Sequence, residues 1–198
     1  MIAIVDYGIG NATSVKKAFD LLRIQTIITS TQADLQSADK ILIPGVGSFG
    51  DAVDALHSLN IFQTIKDEVL LNKKPILGIC LGMQLLADSS EESVDKKGFG
   101  FIQGSCKKFD IELKVPHVGW NNITHNDSIL FQNIPNNSDF YFVHSYHFDI
   151  LTNEKSSHLE YGYEFTSSIE KENIFGVQFH PEKSQQYGLE LLKNFGEF

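Results

Sequence analysis

The sequence predicts an α/β fold: a doubly wound, mostly parallel sheet flanked by helices, with an antiparallel β annex placed before the last strand and helix. Three observations predict it. Short apolar runs alternate with amphipathic helical stretches through the first half, the pattern of a parallel sheet covered on both faces. The second half turns to strand-like segments divided by turn residues, with few helical periods. The chain then closes on one more apolar run and a helix.

Taken in order, Ile2–Val5 is a short apolar run and reads as a buried strand. Gly8 and Gly10 mark a turn. Val15, Ala18, Phe19 and Leu22 then recur at i, i+3, i+4 and i+7, one face of a helix. Residues 25–29 and Lys40–Ile43 read as strands. Phe62, Ile65 and Val69 mark a helix that stops at Asn72-Lys-Lys74, ahead of Pro75. Ile76–Ile79 is the next apolar strand, and residues 83–87 start a helix. In the second half, residues 99–102, 106–109, 140–143, 161–169 and 174–179 read as strands, with a turn-rich stretch at 133–139. Leu189, Leu192 and Phe195, three apart, mark the closing helix over 185–195. No repeat or linker interrupts the sequence, so residues 1–198 read as a single domain.

Composition narrows the function. Of 198 residues, 42% are hydrophobic and 21% charged, a globular profile with ample core. The net charge of −9 argues against nucleic acid or an anionic membrane as partner, since both select basic surfaces. Arg23 is the only arginine, so a polyphosphate gripped by arginine forks is not expected. Cys80 and Cys106 are too few for a disulfide scaffold. The start of the chain lacks a basic segment ahead of its apolar run and reads as a strand, not a signal peptide. No apolar stretch approaches a membrane span. A cytoplasmic protein with reduced thiols is the expectation.

The sharpest local signal is Gly78-Ile-Cys-Leu-Gly82, between an apolar strand and a helix start. It is the cysteine form of the G-x-S-x-G nucleophile elbow. A sharp strand-to-helix turn leaves no room for flanking side chains, hence the two glycines. The turn lifts the Cys80 thiol to the carboxyl end of the sheet. The helix N-terminus beneath favours thiolate, and the Leu81 N–H is free for an oxyanion. A buried structural cysteine is the competing reading, and the strand–glycine–helix context outweighs it.

A thiol nucleophile needs a base and a group to orient it. His180-Pro-Glu182 offers both: on an extended strand, residues 178, 180 and 182 share one face, so His180 and Glu182 project together. Pro44-Gly-Val-Gly-Ser-Phe-Gly50 contains a literal G-x-G-x-x-G. A dinucleotide site is disfavoured, because this is not the first strand–helix unit and no acidic residue ends the next strand. A loop presenting a second oxyanion donor fits better. His144 and His147, three apart in a strand-like stretch, are expected on opposite faces, and no local spacing suggests a metal site. Trp120, beside glycine and asparagine, reads equally as an interface or loop anchor and as core.

With these motifs together, the chain resembles the class I (triad) glutamine amidotransferases, and within them the glutaminase subunits of imidazole glycerol phosphate synthases. The segments that carry the resemblance run in order along the chain: Asp6-Tyr-Gly-Ile-Gly-Asn11, Pro44-Gly-Val-Gly47, Gly78-Ile-Cys-Leu-Gly-Met-Gln84, Pro116-His-Val-Gly-Trp-Asn121, Tyr141-Phe-Val-His-Ser-Tyr146 and Gly176-Val-Gln-Phe-His-Pro-Glu-Lys-Ser184.

The resemblance implies that Cys80 attacks the side-chain amide of glutamine to form a γ-glutamyl thioester. His180, held by Glu182, protonates the departing ammonia and then activates water. Leu81 supplies one oxyanion donor and the Val46–Gly47 peptide a second, after a flip. Gly47, Gln84, Ser145 and Tyr146 bind glutamine, with Ser145 and Tyr146 holding its carboxylate by backbone donors. Asn11, Trp120, Tyr141 and Lys183 face a (β/α)8 cyclase subunit, forming a heterodimer. No metal and no cofactor is implied. The ammonia goes to the cyclase, which makes imidazole glycerol phosphate and an aminoimidazole ribotide in histidine biosynthesis. Ile9, Val118 and His147 depart from the family pattern near the partner face. They leave open a paralogous branch that supplies ammonia for amidating a surface-polysaccharide sugar. A related hydrolase acting on another amide, and a regulatory module without activity, are the competing classes.

Overall fold

The computed structural model describes the backbone of residues 1–198 and every side chain except that of Lys155. The chain begins with β1 (Ile2–Val5), α1 (Ala12–Leu21), β2 (Thr26–Thr29), α2 (Gln32–Ser37) and β3 (Lys40–Ile43). It continues through α3 (Phe49–Ser58), α4 (Phe62–Leu70), β4 (Ile76–Ile79) and the single turn α5 (Leu81–Gln84). Next come β5 (Ser89–Ser90), β6 (Gly104–Lys108), β7 (His117–Asn122), β8 (Thr124–His125), β9 (Asp139–His144) and β10 (Tyr146–Ile150). The last elements are β11 (Lys155–Tyr161), β12 (Tyr163–Lys171), β13 (Ile174–Val177) and α6 (Gln185–Glu197). Short 3-10 turns stand at Ile129–Phe131 and Pro181–Lys183.

The main sheet runs β2-β1-β3-β4-β13-β12-β10-β6-β5. Its first five strands are parallel. From β12 to β6 the pairing is antiparallel, with the short β5 added parallel to β6 at the edge, so the annex extends the same sheet. β11 folds back on β12, and β7 and β9 form a separate two-stranded antiparallel sheet.

β1, β3, β4 and β13 are buried along their whole length, as expected where helices cover both faces, while the edge strand β2 is only partly buried. Alternate residues feed two cores. Ala3, Val5, Ile41 and Ile43 pack with Leu35 of α2, Val53 and Leu56 of α3 and Ile65 of α4. Ile2, Ile4 and Leu42 pack with Val15 and Phe19 of α1 and Leu192 and Phe195 of α6. Side-chain caps set three helix starts: Asn11, Thr31 and Ser48 accept backbone N–H bonds from Ser14, Asp34 and Asp51.

Several expectations are corrected. Residues 99–102 form no strand; Phe99 stacks face to face on Phe62 of α4, and Phe101 on Phe99, so apolar side chains there serve a helix contact. The strand expected over 161–169 is β12, which starts two residues later, and β11 ahead of it is an unexpected second arm of a hairpin turning at Gly162, whose φ of 79° suits glycine. The helix expected over 83–87 is the single turn Leu81–Gln84. The strand β7 and the helix α2 lie where no element is expected, and β10 forms just past Ser145.

Candidate active site

Cys80 follows β4 with φ 53° and ψ −106°. That is a left-handed φ for a residue with a Cβ, a conformation costing about 1–3 kcal/mol and found where function requires it. The flanking glycines are steric necessities. A Cβ on Gly82 would lie 1.9 Å from the Ile43 carbonyl oxygen, and one on Gly78 would lie 2.4 Å from the Gly82 oxygen. The elbow is thus wedged between β3 and its own turn. Because α5 is only one turn long, its dipole is a smaller influence on the thiol than the sequence suggests. Leu81, at the first helical position, has no earlier carbonyl in its own helix to bond, so its N–H is available.

His180 and Glu182 come together, though not along an extended strand. β13 ends at Val177, and a 3-10 turn over Pro181–Lys183 brings Glu182 Oε1 to 2.9 Å from His180 Nδ1. Both side chains are 2% exposed. The turn is pinned from three directions. The His180 N–H donates to the Tyr141 oxygen, Ser184 Oγ donates to the His180 oxygen, and the Tyr141 N–H donates to Ser184 Oγ.

Burial pulls the His180 imidazole down, but Cys80 and Glu182 outweigh it and hold the ring up to about 10. A charged imidazolium is thus poised between sulfur and carboxylate. Its Nε2 is buried, and the Cys80 sulfur raises the ring both as a hydrogen-bonding neighbour and through charge. Cys80 Sγ meanwhile donates to the Val143 oxygen at 3.7 Å and accepts from Gln178 Nε2 at 3.5 Å. Parallel pairing of Val177 with Ile79 is what sets Gln178 beside Cys80.

A cavity of about 290 Å³ opens onto the sulfur. Val46, Gly47, Cys80, Leu81, Gln84, Ser145 and Tyr146, all singled out in the sequence, line it together. Gly45 explains the loop's approach: a Cβ there would lie 2.7 Å from both the Leu81 Cβ and the Tyr7 hydroxyl. Tyr7 in turn donates to the Pro44 oxygen at 2.6 Å, tying down the loop's root. Gly47 has φ 101°, so the Val46–Gly47 peptide sits in a conformation glycine permits. The start of α3 just beyond is already occupied: Ser48 caps it, and Glu92 accepts the Phe49 N–H at 2.7 Å. A pyrophosphate would have to displace that carboxylate, which argues further against the dinucleotide reading.

Pro116, Val143 and His144 also line the cavity; they lie within the segments that carry the resemblance but are given no site role there. Glu92 alone lies outside every motif, and only its pairing with the Phe49 N–H, 43 residues away in sequence, brings it to the cavity. His144 and His147 are not on opposite faces. Ser145 separates β9 from β10, and both rings pack on Phe109 with centroids 5.2 and 4.9 Å away. Among the described residues, no cluster of histidine, cysteine and carboxylate side chains suits a metal ion.

The expected partner face is partly assembled. Trp120 is 48% exposed, on a strand and outside the core. Its ring meets Tyr141, its cross-strand partner, edge-on at 5.9 Å, and Lys183 Nζ stands 5.7 Å from the centre of the Tyr141 ring. Asn11 instead caps α1, beyond a glycine packed on the Pro44 carbonyl.

A strained cysteine elbow on a doubly wound sheet, with a buried His–Glu pair beside it, makes the carboxyl end of this sheet the candidate active site. The family model for class-I glutamine amidotransferases matches residues 3–197, and the chain belongs to that family of enzymes. Within it the chain is HisH-like. It is 48% identical over 198 residues to the imidazole glycerol phosphate synthase subunit HisH 1 of Campylobacter jejuni, covering 98% of each chain. It is 46% identical over 205 residues to subunit HisH of Sulfurimonas denitrificans, covering all of this chain and 98% of that one. The fold recurs in a solved glutamine amidotransferase, with a TM-score of 0.79 at 16% identity, covering 99% of this chain and all of that one.

Proposed function

We propose that this chain is the glutaminase subunit of an imidazole glycerol phosphate synthase, acting in histidine biosynthesis, and that residues 1–198 work as one glutaminase domain. The observation that carries the reading is the Cys80 elbow opening into a cavity, with the buried His180–Glu182 pair charged beside the sulfur. The names of the HisH relatives support the histidine-pathway acceptor, and the sugar-amidating alternative gains nothing from them.

The chemistry follows from the geometry. The Cys80 thiolate attacks the glutamine side-chain carbonyl carbon. The oxyanion that forms takes hydrogen bonds from the Leu81 N–H and, after a peptide flip, from the Val46–Gly47 peptide. His180 enters charged, so it carries the proton that the departing ammonia needs. The tetrahedral species collapses to a γ-glutamyl thioester as the C–N bond breaks. His180, now neutral, takes a proton from water, which attacks the thioester and releases glutamate. Glu182 holds the ring and stabilises the imidazolium at each end of the cycle.

Recognition fits a free amino acid. Glutamine brings an ammonium and a carboxylate. Glu92 is the one carboxylate side chain in the cavity lining and suits the ammonium. Gly47, Gln84 and backbone donors at Ser145 and Tyr146 suit the rest of the molecule, which needs no arginine. Asn11, Trp120, Tyr141 and Lys183 face a (β/α)8 cyclase subunit that receives the ammonia. Direct transfer is required because ammonia free in neutral water is mostly protonated and no longer a nucleophile.

The test is glutamate release from glutamine, by the chain alone and with the histidine-pathway cyclase and its nucleotide ligand. Strong stimulation by the loaded cyclase is expected. Labelling of Cys80 by a thiol-directed glutamine analogue without any stimulation would keep the hydrolase and discard this partner.

A further inference from the structure

We infer that Gln178 stabilises the Cys80 thiolate, as an amide donor aimed at the reacting sulfur. This rests on Cys80 being the nucleophile. Gln178 is fully buried, in a segment where a polar side chain needs a reason. Its Nε2 lies 3.5 Å from Cys80 Sγ.

The orientation of the amide is dictated by a chain of obligate roles. The Tyr146 carbonyl can only accept. Gln84 therefore presents its NH2 group to it, at 3.0 Å. The same NH2 group lies 3.1 Å from Gln178, so the Gln178 atom there is the oxygen. That leaves the Gln178 NH2 group facing sulfur. The Tyr146 oxygen is held from the other side by His144, whose Nδ1 lies 2.8 Å away and must carry a hydrogen. His144 is neutral, so its Nε2 accepts from His117 Nδ1 at 3.0 Å. A carbonyl anchored by the β7–β9 sheet thus fixes which end of Gln178 meets the nucleophile.

The donor answers a specific electrostatic problem. In the thiol form the S–H points to the Val143 oxygen at 3.7 Å. Once ionised, the sulfur faces that carbonyl dipole without a proton between them. An amide N–H on the sulfur offsets the repulsion. The titratable groups that feel the sulfur's charge are His180, which it raises, and Tyr7, a neutral phenol. Cys106 is the internal contrast. Its sulfur is fully buried, donates to the Gln84 oxygen at 3.6 Å, and burial pushes its thiol far up, out of the reactive range.

The experiment measures the rate of Cys80 carbamidomethylation against pH in the full chain, with mass spectrometry to locate the label. It compares Gln178→Leu and Gln178→Glu. The glutamate keeps an acceptor for Gln84 but removes the donor to sulfur. Both variants are expected to slow Cys80 alkylation at neutral pH by about tenfold, the worth of one hydrogen bond to a charged group, and to move the profile alkaline. Wild-type profiles in both would overturn the inference. So would a slow leucine variant with a wild-type glutamate variant, since Gln178 would then act only by holding Gln84. If the leucine variant fails to fold, Gln178→Met, unbranched like glutamine and without a donor or a charge, takes its place, and a wild-type profile for it overturns the inference. Labelling of the unaltered chain by the glutamine analogue is a separate arm: its absence would reject Cys80 as nucleophile, whatever the Gln178 variants do.

Discussion

His180 and His144 are both buried, and His144 feels the charge of His180, yet the two are tuned in opposite directions. At the end of the parallel half, burial is outweighed by Cys80 and Glu182, and His180 is held up to about 10. In the antiparallel half, burial dominates. His144 falls to about 3 and His117 to about 4. The difference lies in the partners. His180 faces two groups that welcome a proton; His144 faces a carbonyl on one side and a second imidazole on the other. Burial lowers every one of these histidines, and only partners that favour the imidazolium, as Cys80 and Glu182 do for His180, reverse the direction. The parallel end can therefore supply charged reacting groups, while the antiparallel half supplies a neutral scaffold of fixed donors and acceptors.

The strongest way to break this division is at the sulfur. Cys80→Ala is expected to lower glutamine hydrolysis by at least about 10⁴-fold, since a lost nucleophile removes the covalent route. Circular dichroism should show the fold intact. Retained turnover would mean that the parallel end does not carry the chemistry. Next is Glu182→Gln, which leaves the ring paired but without a charge to hold the imidazolium. Turnover is expected to fall by about 10²–10⁴-fold with little change in KM. A pure KM effect would move Glu182 into substrate recognition.

Gly82→Val tests rigidity instead of charge. Its Cβ would lie 1.9 Å from a backbone oxygen that β3 cannot easily move. Urea unfolding should show a loss of about 3 kcal/mol or more. A stable variant would mean that the elbow relaxes more readily than its close packing implies.

The opposed histidines also predict a pH optimum for stability. His117 and His144 are depressed below their ordinary 6.5, so the unfolded chain binds more protons than the folded one between 6.5 and about 3. Their contribution is complete above 6.5 and is lost as pH falls. His180 is raised, so its contribution is complete below 6.5 and is lost as pH climbs toward about 10. Both are whole only near 6.5, where these three groups place the maximum. Thermal unfolding across pH checks this. His144→Gln should flatten the acid limb, and His180→Asn the alkaline one. If either substitution flattens the wrong limb, the assignment of charge to the two regions is reversed.

The two regions also differ in what their sequence discloses. β1, β3 and β4 fall where the sequence places them, because a parallel strand buried on both faces is a continuous apolar run. The elbow is legible for the same reason: its glycines answer to clashes within a few residues or with the adjoining strand. The antiparallel half hides its register. β7 reads His117-Val-Gly-Trp-Asn-Asn122, with buried and exposed positions that follow no simple polarity, and β11, Lys155–Tyr161, is too polar a run to read as a strand. Cys80 and His180 announce themselves by local motif. Glu92, His144 and the orientation of Gln178 do not, because each depends on a partner tens of residues away.

The smallest expected effect sharpens the comparison at the outer edge of the antiparallel half. Trp120 has no core role to lose: it is half exposed, and its ring contact is with Tyr141. Removing it should leave the elbow and the cavity unaltered, since neither Trp120 nor Tyr141 lines them. An exposed tryptophan packed on a tyrosine beside a lysine is the composition of an interface anchor. Trp120→Ala is therefore expected to keep the stability and the basal glutamine hydrolysis of the isolated chain, while weakening association with the cyclase by about 2 kcal/mol, roughly thirtyfold in Kd. Calorimetric titration of the variant with the cyclase measures it. Unchanged affinity with lost stimulation would make Trp120 a coupling residue. Unchanged affinity and unchanged stimulation would remove this face from the partner's footprint, leaving the antiparallel half to recognition of glutamine alone.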